Sequence, residues 1–433
     1  MRLSTSMLFE RGMNGVQRQL REQVELQEKI ASGKRLLKPS DDPVAAAATI
    51  KIEQAKGINK QFGTNAQNAE ASLVLQEQAL GDATRVLQDI KTLVVKAGNG
   101  ALQNSDRASL ATEMEALYDQ LMGVANRTDG KGLYLFSGFQ GSTQPFTESA
   151  PGVVNYAGDE GQRFVQIGPE RRIAVGDSGA DIFQRIRQGN GTFVTTPDPA
   201  NTGTAVTSTG IVRNPAAWEN PVNSRDYSVV FHVDAATPPV TTYDIVDNVN
   251  NVSMLTGAAP AAGPHARVYE AGSEIVMQRQ AGDPSVAPFD AGIAIEVSGE
   301  PASGDTLAIG RSQNRDVFAT VNDLITALKT GIAQVPTSRS EYQNRLNLGG
   351  ASIDRALDQV LTARSAMGGR LQEIEAVKVT TADFDLHYET DLDRLQSLDY
   401  AQAISDLTRR QVGLEAAQKS YIAVTKLKLF DFI

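Results

Sequence analysis

The stretch Leu73-Val74-Leu75-Gln76-Glu77-Gln78-Ala79-Leu80-Gly81-Asp82-Ala83-Thr84-Arg85-Val86-Leu87-Gln88-Asp89-Ile90 decides the fold. Leu73, Leu80 and Leu87 fall seven apart, and Gln76, Ala83 and Ile90 fall three after each. Outward from there, Ala66 and Val94 continue the first series and Ala69 and Ala97 the second, so the alternating spacing lasts four heptads. That period draws one apolar seam along a helix and predicts a coiled-coil-like face; the plainer alternative is an ordinary buried helix face. Asp42 can cap the helix, Pro43 fits its first position, and Gly98-Asn99-Gly100 stops it. Continuous from Pro43 to Ala97, it would be about 80 Å long at ~1.5 Å per residue and would imply an elongated shape, with Gly57 and Gly63 as possible interruptions.

The same grammar returns later. Leu346, Ile353, Val360, Met367 and Ile374 repeat at seven, with Leu357 and Leu371 between, and Leu110, Met114, Leu117, Leu121 and Val124 mark a shorter helix. Between these arms the composition changes. Of 17 prolines, 14 lie between Pro145 and Pro301, and no lysine occurs between Lys131 and Lys329. Tyr227–Val233, Thr241–Val246 and Gly292–Val297 are β-rich runs between turn residues. Further hairpin signals stand at Val153–Tyr156 and Arg163–Ile167, and Val317, Phe318, Val321, Leu324, Ile325 and Leu328 return the chain to helix. The fold class expected is mainly α, with long coiled-coil or bundle arms from both termini, β-hairpins, and an inserted all-β, sandwich-like domain.

The two ends carry weaker seams. Met13, Val16, Leu20 and Ile30 alternate with Gln23 and Gln27; Ile404, Leu407, Leu414 and Tyr421 alternate with Gln411 and Gln418. Half-polar helices of this kind need packing partners in water, so both ends are expected to be poorly ordered in a monomer and to order on assembly. The competing expectation is that they pair with each other or dock on the core.

Chemistry is hard to find. The chain has 433 residues, no cysteine, three histidines and a formal net charge of −10. This removes disulfides, thiol catalysis and Cys-ligated metals, and argues against a nucleic-acid binder. No dinucleotide, phosphate-loop, nucleophile-elbow or zinc-protease motif occurs, and no run of about 18 apolar residues could span a membrane. No catalytic, cofactor or metal site is expected. The start has no apolar core with a cleavage site, which by itself reads as cytoplasmic.

The run from Ala31 to Ala47, with Ser32-Gly33, Arg35, Pro39 and Asp41-Asp42-Pro43 ahead of an Ala-rich helix, resembles the flagellin-family signature. Val94–Gly100, Ser105-Asp106-Arg107 and Leu407-Thr408-Arg409-Arg410-Gln411 are similar to further motifs of that family. The resemblance covers about residues 1–185 and 315–433 and fades between. Within the family, the Met-Arg-Leu-Ser-Thr start, Gly132–Gly138, Tyr388–Leu392 and the ending from Ala416 to Ile433 look like its hook–filament junction members, with Lys428 departing from the last apolar register.

The resemblance implies a structural, non-enzymatic part of the bacterial flagellum, outside the cell, exported unfolded by the flagellar type III route without a cleaved signal. It implies self-association into a ring, contact with hook-associated protein 1 and with flagellin, and an export chaperone on the C-terminal region. Filament flagellin is the alternative, and an adhesin or glycan-binding relative a more distant one. The expected organisation is a terminal coiled-coil domain (1–43 and 389–433), a helical bundle with hairpins (44–187 and 313–388) and a β-rich insert (188–312). Ser32, Gly33, Arg35, Pro39, Asp41, Asp42 and Pro43 form the expected assembly turn.

Overall fold

A computed structural model describes residues 5–235, 238–258, 265–285, 287–333 and 335–430 of the chain. The first four residues of the family-like start and the last three of its ending lie outside the described residues, as does the side chain of Lys428.

Helices α1 (Thr5–Ser32), α2 (Pro43–Ala97) and α3 (Asn104–Ala125) come first; α4 (Pro215–Trp218) is one turn; α5 (Val317–Thr330), α6 (Pro336–Gln396) and α7 (Tyr400–Phe430) close the chain. Helix α2 has the limits its cap and stop residues predict and runs unbroken through Gly57 and Gly63. All ten seam positions from Ala66 to Ala97 are buried. A mainly helical chain with long terminal helices and a β-rich middle follows from these elements.

The chain gathers into two compact units. One holds Met1–Gln67, Gln166–Arg171 and Glu375–Ile433; the other holds Asn68–Val165 and Arg172–Ile374. In the second unit the α2 seam, Leu346, Ile353, Val360, Met367 and Ile374 of α6, Met114 and Leu121 of α3, and Phe318 and Val321 of α5 are buried. Phe146, Phe183 and Phe318 meet at ring-centroid separations of 5.5 to 6.2 Å, and Phe136 stands 5.5 Å from Phe183. The sparse aromatics are thus concentrated where large side chains bring most contact area. Gln76 is the polar exception in the α2 seam. Its Nε2 donates to the Val175 carbonyl at 2.9 Å, while its buried Oε1 has no partner. Burying half an amide unpaired costs stability and selects one register.

The β-rich part of this unit contains two antiparallel sheets. One has the order Val252–Ser253, Thr241–Asp247, Asp226–Val233, Thr306–Arg311, Phe193–Pro197, with Arg267–Val268 also on Thr241–Asp247. The other joins Ser273–Gln278, Asp290–Ser298 and Val206–Thr207, with Ile211–Val212 on the long strand. Strict alternation turns Tyr227, Val229 and Phe231 inward, where they share one core with Trp218, Ile275, Ile293, Ile295 and Leu307. Arg267 of the first sheet donates to Asp283 and to the Val276 and Gln278 carbonyls of the second sheet's edge strand, at 2.6 to 3.1 Å. That buried ion pair occupies an edge that would otherwise offer unpaired carbonyls.

The β part leaves and rejoins the helices through one neck. Ile186–Arg187 pairs with Asn314–Arg315, and Arg187 Nη1 reaches the Ser312 carbonyl at 2.7 Å. Above the neck, Asn344 of α6 accepts from Thr207 N at 2.8 Å and donates to Ala205 O at 3.0 Å, so a helix side chain completes a strand edge.

Candidate functional site

The signature residues build a turn of main-chain bonds. Gly33 ends α1 with φ +69°, the left-handed region that glycine reaches without a Cβ clash. A Cβ placed there would also stand 2.8 Å from Tyr400 Oη. Lys38-Pro39-Ser40-Asp41 forms a β-turn closed by Asp41 N donating to Lys38 O at 3.0 Å, with Pro39 at the position whose φ it presets. The Asp41 carboxylate accepts from Leu37 N and Lys38 N at 3.1 and 3.3 Å and stands 3.6 Å from Lys29 Nζ. Asp42 caps α2 by accepting from Ala45 N at 3.0 Å, and Arg35 reaches its other oxygen at 3.5 Å. Both carboxyls are held below the usual carboxylate range, Asp41 chiefly by the Leu37 and Lys38 amides and Asp42 chiefly by the Ala45 amide.

A second break faces the first. Helix α6 ends at Gln396 and α7 begins at Tyr400, with Asp399 accepting from Gln402 N at 3.0 Å as its cap. Arg35 N donates to Gln396 O at 2.8 Å, Leu398 N donates to Gly33 O at 3.1 Å, and Arg35 Nη2 donates to Leu395 O at 3.0 Å. Lys34 and Ser397 form an antiparallel bridge. Both terminal arms are therefore interrupted at one level and tied there by backbone.

Sequence reasoning located the first break and missed the second. The expected terminal domain begins at residue 389, and no local period there marks that α6 is helical to Gln396 and stops. The Leu398-Asp399-Tyr400 step was its local signal, an Asp before a helix of Ala and Gln.

Beyond the paired turn α1 and α7 pack together. Gly413 of α7 lies against Gln19, and Arg410 meets Glu22 at 2.6 Å. A Cβ on Gly12 would touch the Tyr421 ring. Of the expected seam residues, Val16, Ile30, Leu407, Leu414 and Tyr421 are half-buried on the facing sides. Met13, Leu20 and Ile404 are 37, 50 and 54% exposed and face away from the pair, with Val24, Val412 and Ile422 also exposed. Gln19 and the expected seam residue Gln23 are half-buried on α1, and each leaves a buried Oε1 without a partner among the described residues.

Among the described residues no group of three or more His, Asp or Glu could hold a metal ion, and no described helix is long and apolar enough to cross a membrane. The fold does bring together two histidines that are remote in sequence: the rings of His232 and His265 stack at 4.9 Å and 14°. Parallel planes prevent one ion from lying in both rings, as shared ligation requires.

The chain is 30% identical to the flagellar hook-associated protein-3 of Legionella pneumophila, whose structure it matches over 79% of this chain and 98% of that one, with a TM-score of 0.69. The chain belongs to the flagellar hook-associated protein 3 family. The Escherichia coli protein named flagellar hook-associated protein 3 is 24% identical over 100% of this chain and 99% of its own. The Salmonella typhimurium protein of that name is 38% identical over 43% of this chain, a match spanning only 58% of its own length. The bacterial flagellin N-terminal helical region is matched at residues 3–141, a stretch holding α1, the signature turn, α2 and α3. In this hook-associated protein 3 relative, the signature positions form an architectural joint between helices.

Proposed function

We propose that the chain joins hook to filament in the bacterial flagellum as a structural subunit, outside the cell. The observation that carries this reading is the likeness to hook-associated protein 3 across nearly the whole Legionella structure. The subunit forms a ring, meets hook-associated protein 1 on one side and flagellin on the other, and catalyses no reaction. It reaches its place unfolded through the flagellar type III channel, with a chaperone on its C-terminal region. A chain without cysteine suits that route, since no disulfide can block threading.

Assembly completes the fold. The outward Met13, Leu20, Val24, Ile404, Val412 and Ile422 are covered by neighbouring subunits, and the buried Gln19 and Gln23 Oε1 atoms hold the α1–α7 register at a cost in isolated stability. The organisation is terminal pair, bundle and β insert, with the paired turn formed before assembly and α1 and α7 made rigid by it. Hydrogen exchange on the isolated chain checks this: Arg35 and Leu398 amides should be protected while those of α1 and α7 exchange fast. Slow exchange throughout α1 and α7 would sink the coupled-ordering proposal.

For the junction itself, a strain lacking this chain should make hooks without filaments and shed flagellin into the medium. Normal filaments would overturn the reading. The match to the flagellin N-terminal region favours filament flagellin as a second reading, and abundance separates them: a trace at filament bases against the bulk of sheared filaments.

A further inference from the structure

Three Asn-Gly pairs occur, Asn14-Gly15, Asn99-Gly100 and Asn190-Gly191. Such a pair can close on itself when the glycine amide is free and the asparagine carboxamide lies forward along the chain. The structure separates the three. Asn14 and Gly15 lie inside α1, where the Gly15 amide belongs to the helical ladder. Gly191 N donates to Gln188 O at 3.0 Å, and the Asn190 amide is fully used: it donates to Thr209 O and accepts from Thr192 N and Phe193 N, at 2.9 to 3.0 Å. Asn99 stands in the exposed turn between α2 and α3. Among the described residues its one side-chain bond is Oδ1 accepting from Ala101 N at 3.0 Å, which folds the carboxamide over the Gly100 peptide, and Gly100 N donates to no described residue.

We propose that Asn99 is a site of spontaneous deamidation in the folded protein. The Gly100 nitrogen gives up its proton to solvent and attacks Asn99 Cγ. The bond from Cγ to the side-chain nitrogen breaks, and ammonia leaves with a proton from water. Water then opens the cyclic imide, giving aspartate or, through attack at the main-chain carbonyl, isoaspartate. A carboxylate there meets the negative end of α2, whose last turn ends at Ala97. Arg339 offsets it, its guanidinium standing 3.5 Å from where a Gly100 Cβ would be. The isoaspartyl product lengthens the main chain between Asn99 N and O, the atoms that bond Lys96 O and Leu102 N, so the α2–α3 turn loosens as the protein ages.

Tryptic peptide mapping of the folded full chain, held in mildly alkaline buffer, tests this. Asn99 falls in the peptide from Ala97 to Arg107 and Asn190 in that from Gln188 to Arg213, both within one compact unit. Asn99 should convert at least about tenfold faster than Asn190 while the chain is folded, and the two should converge in urea, where local structure no longer protects either. Gly100→Ala, whose added methyl meets only Arg339, should slow Asn99 without unfolding the turn. Equal rates in the folded chain, an inert Asn99 that reacts only in urea, or a Gly100→Ala chain that reacts as fast would each overturn the proposal.

Discussion

Gly33 and Gly57 are both glycines of the first unit, yet the same substitution should act on them in opposite directions. Gly57 lies mid-helix in α2 with nothing within 4 Å of an added Cβ. Alanine there should stabilise by about 0.5–1 kcal/mol, since glycine loses more backbone freedom on folding. Gly33 holds φ +69°. Alanine in that region costs about 1–2 kcal/mol from the Cβ clash with the carbonyl. The contact with Tyr400 Oη at 2.8 Å is relieved by swinging an exposed side chain and adds little. The strain falls on the bond from Leu398 N to Gly33 O, so exchange of the Leu398 amide should quicken about 5- to 30-fold, the population change those energies set. Hydrogen exchange with residue resolution on Gly33→Ala and Gly57→Ala reads both signs. Unchanged Leu398 exchange in Gly33→Ala, or stabilisation like that of Gly57→Ala, would refute the claim that a left-handed glycine holds the paired turn.

Asp283→Asn leaves the buried Arg267 guanidinium without its counter-charge, so it should destabilise the β part by about 3–5 kcal/mol; the buried Trp218 reports that loss by fluorescence in denaturant. Replacing both with Met and Leu should recover much of it. Burial and the neighbouring His232 hold His265 below its ordinary 6.5, so its contribution is present above that pH and fades as pH falls below it; Trp218 unfolding curves across mild acid check the sign. Asp41 and Asp42 are likewise held below 3.8, so the turn should keep its exchange protection until pH falls beneath that value and lose it there. Removing residues 188–312 should leave the helical circular dichroism of the rest intact, because Ile186–Arg187 and Asn314–Arg315 already pair across the cut.

The long helices were legible because their cues are local and redundant. Leu73, Leu80 and Leu87 repeat with a period only a helix satisfies, and Asp42-Pro43 and Gly98 mark its ends. The strand from Asp226 to Val233 was legible through its alternation. The terminal seam was half legible. Met13 and Leu20 keep the seam period and stand exposed in the single chain, while α7 lies against Gly12 and Gln19, where small and polar residues allow close approach. Hydrophobicity alone ranks Gly12 and Gln19 low. The pairing of Gly33 with Leu398 and the stacking of His232 on His265 are long-range, and no local period announces them.

A junction subunit sits at one place in the flagellum. Immunogold labelling of intact flagella with an antibody to residues 188–312 tests it most directly. Label confined to the boundary between hook and filament is the result expected. Label spread along the filament would contradict the account and assign the chain to the filament itself.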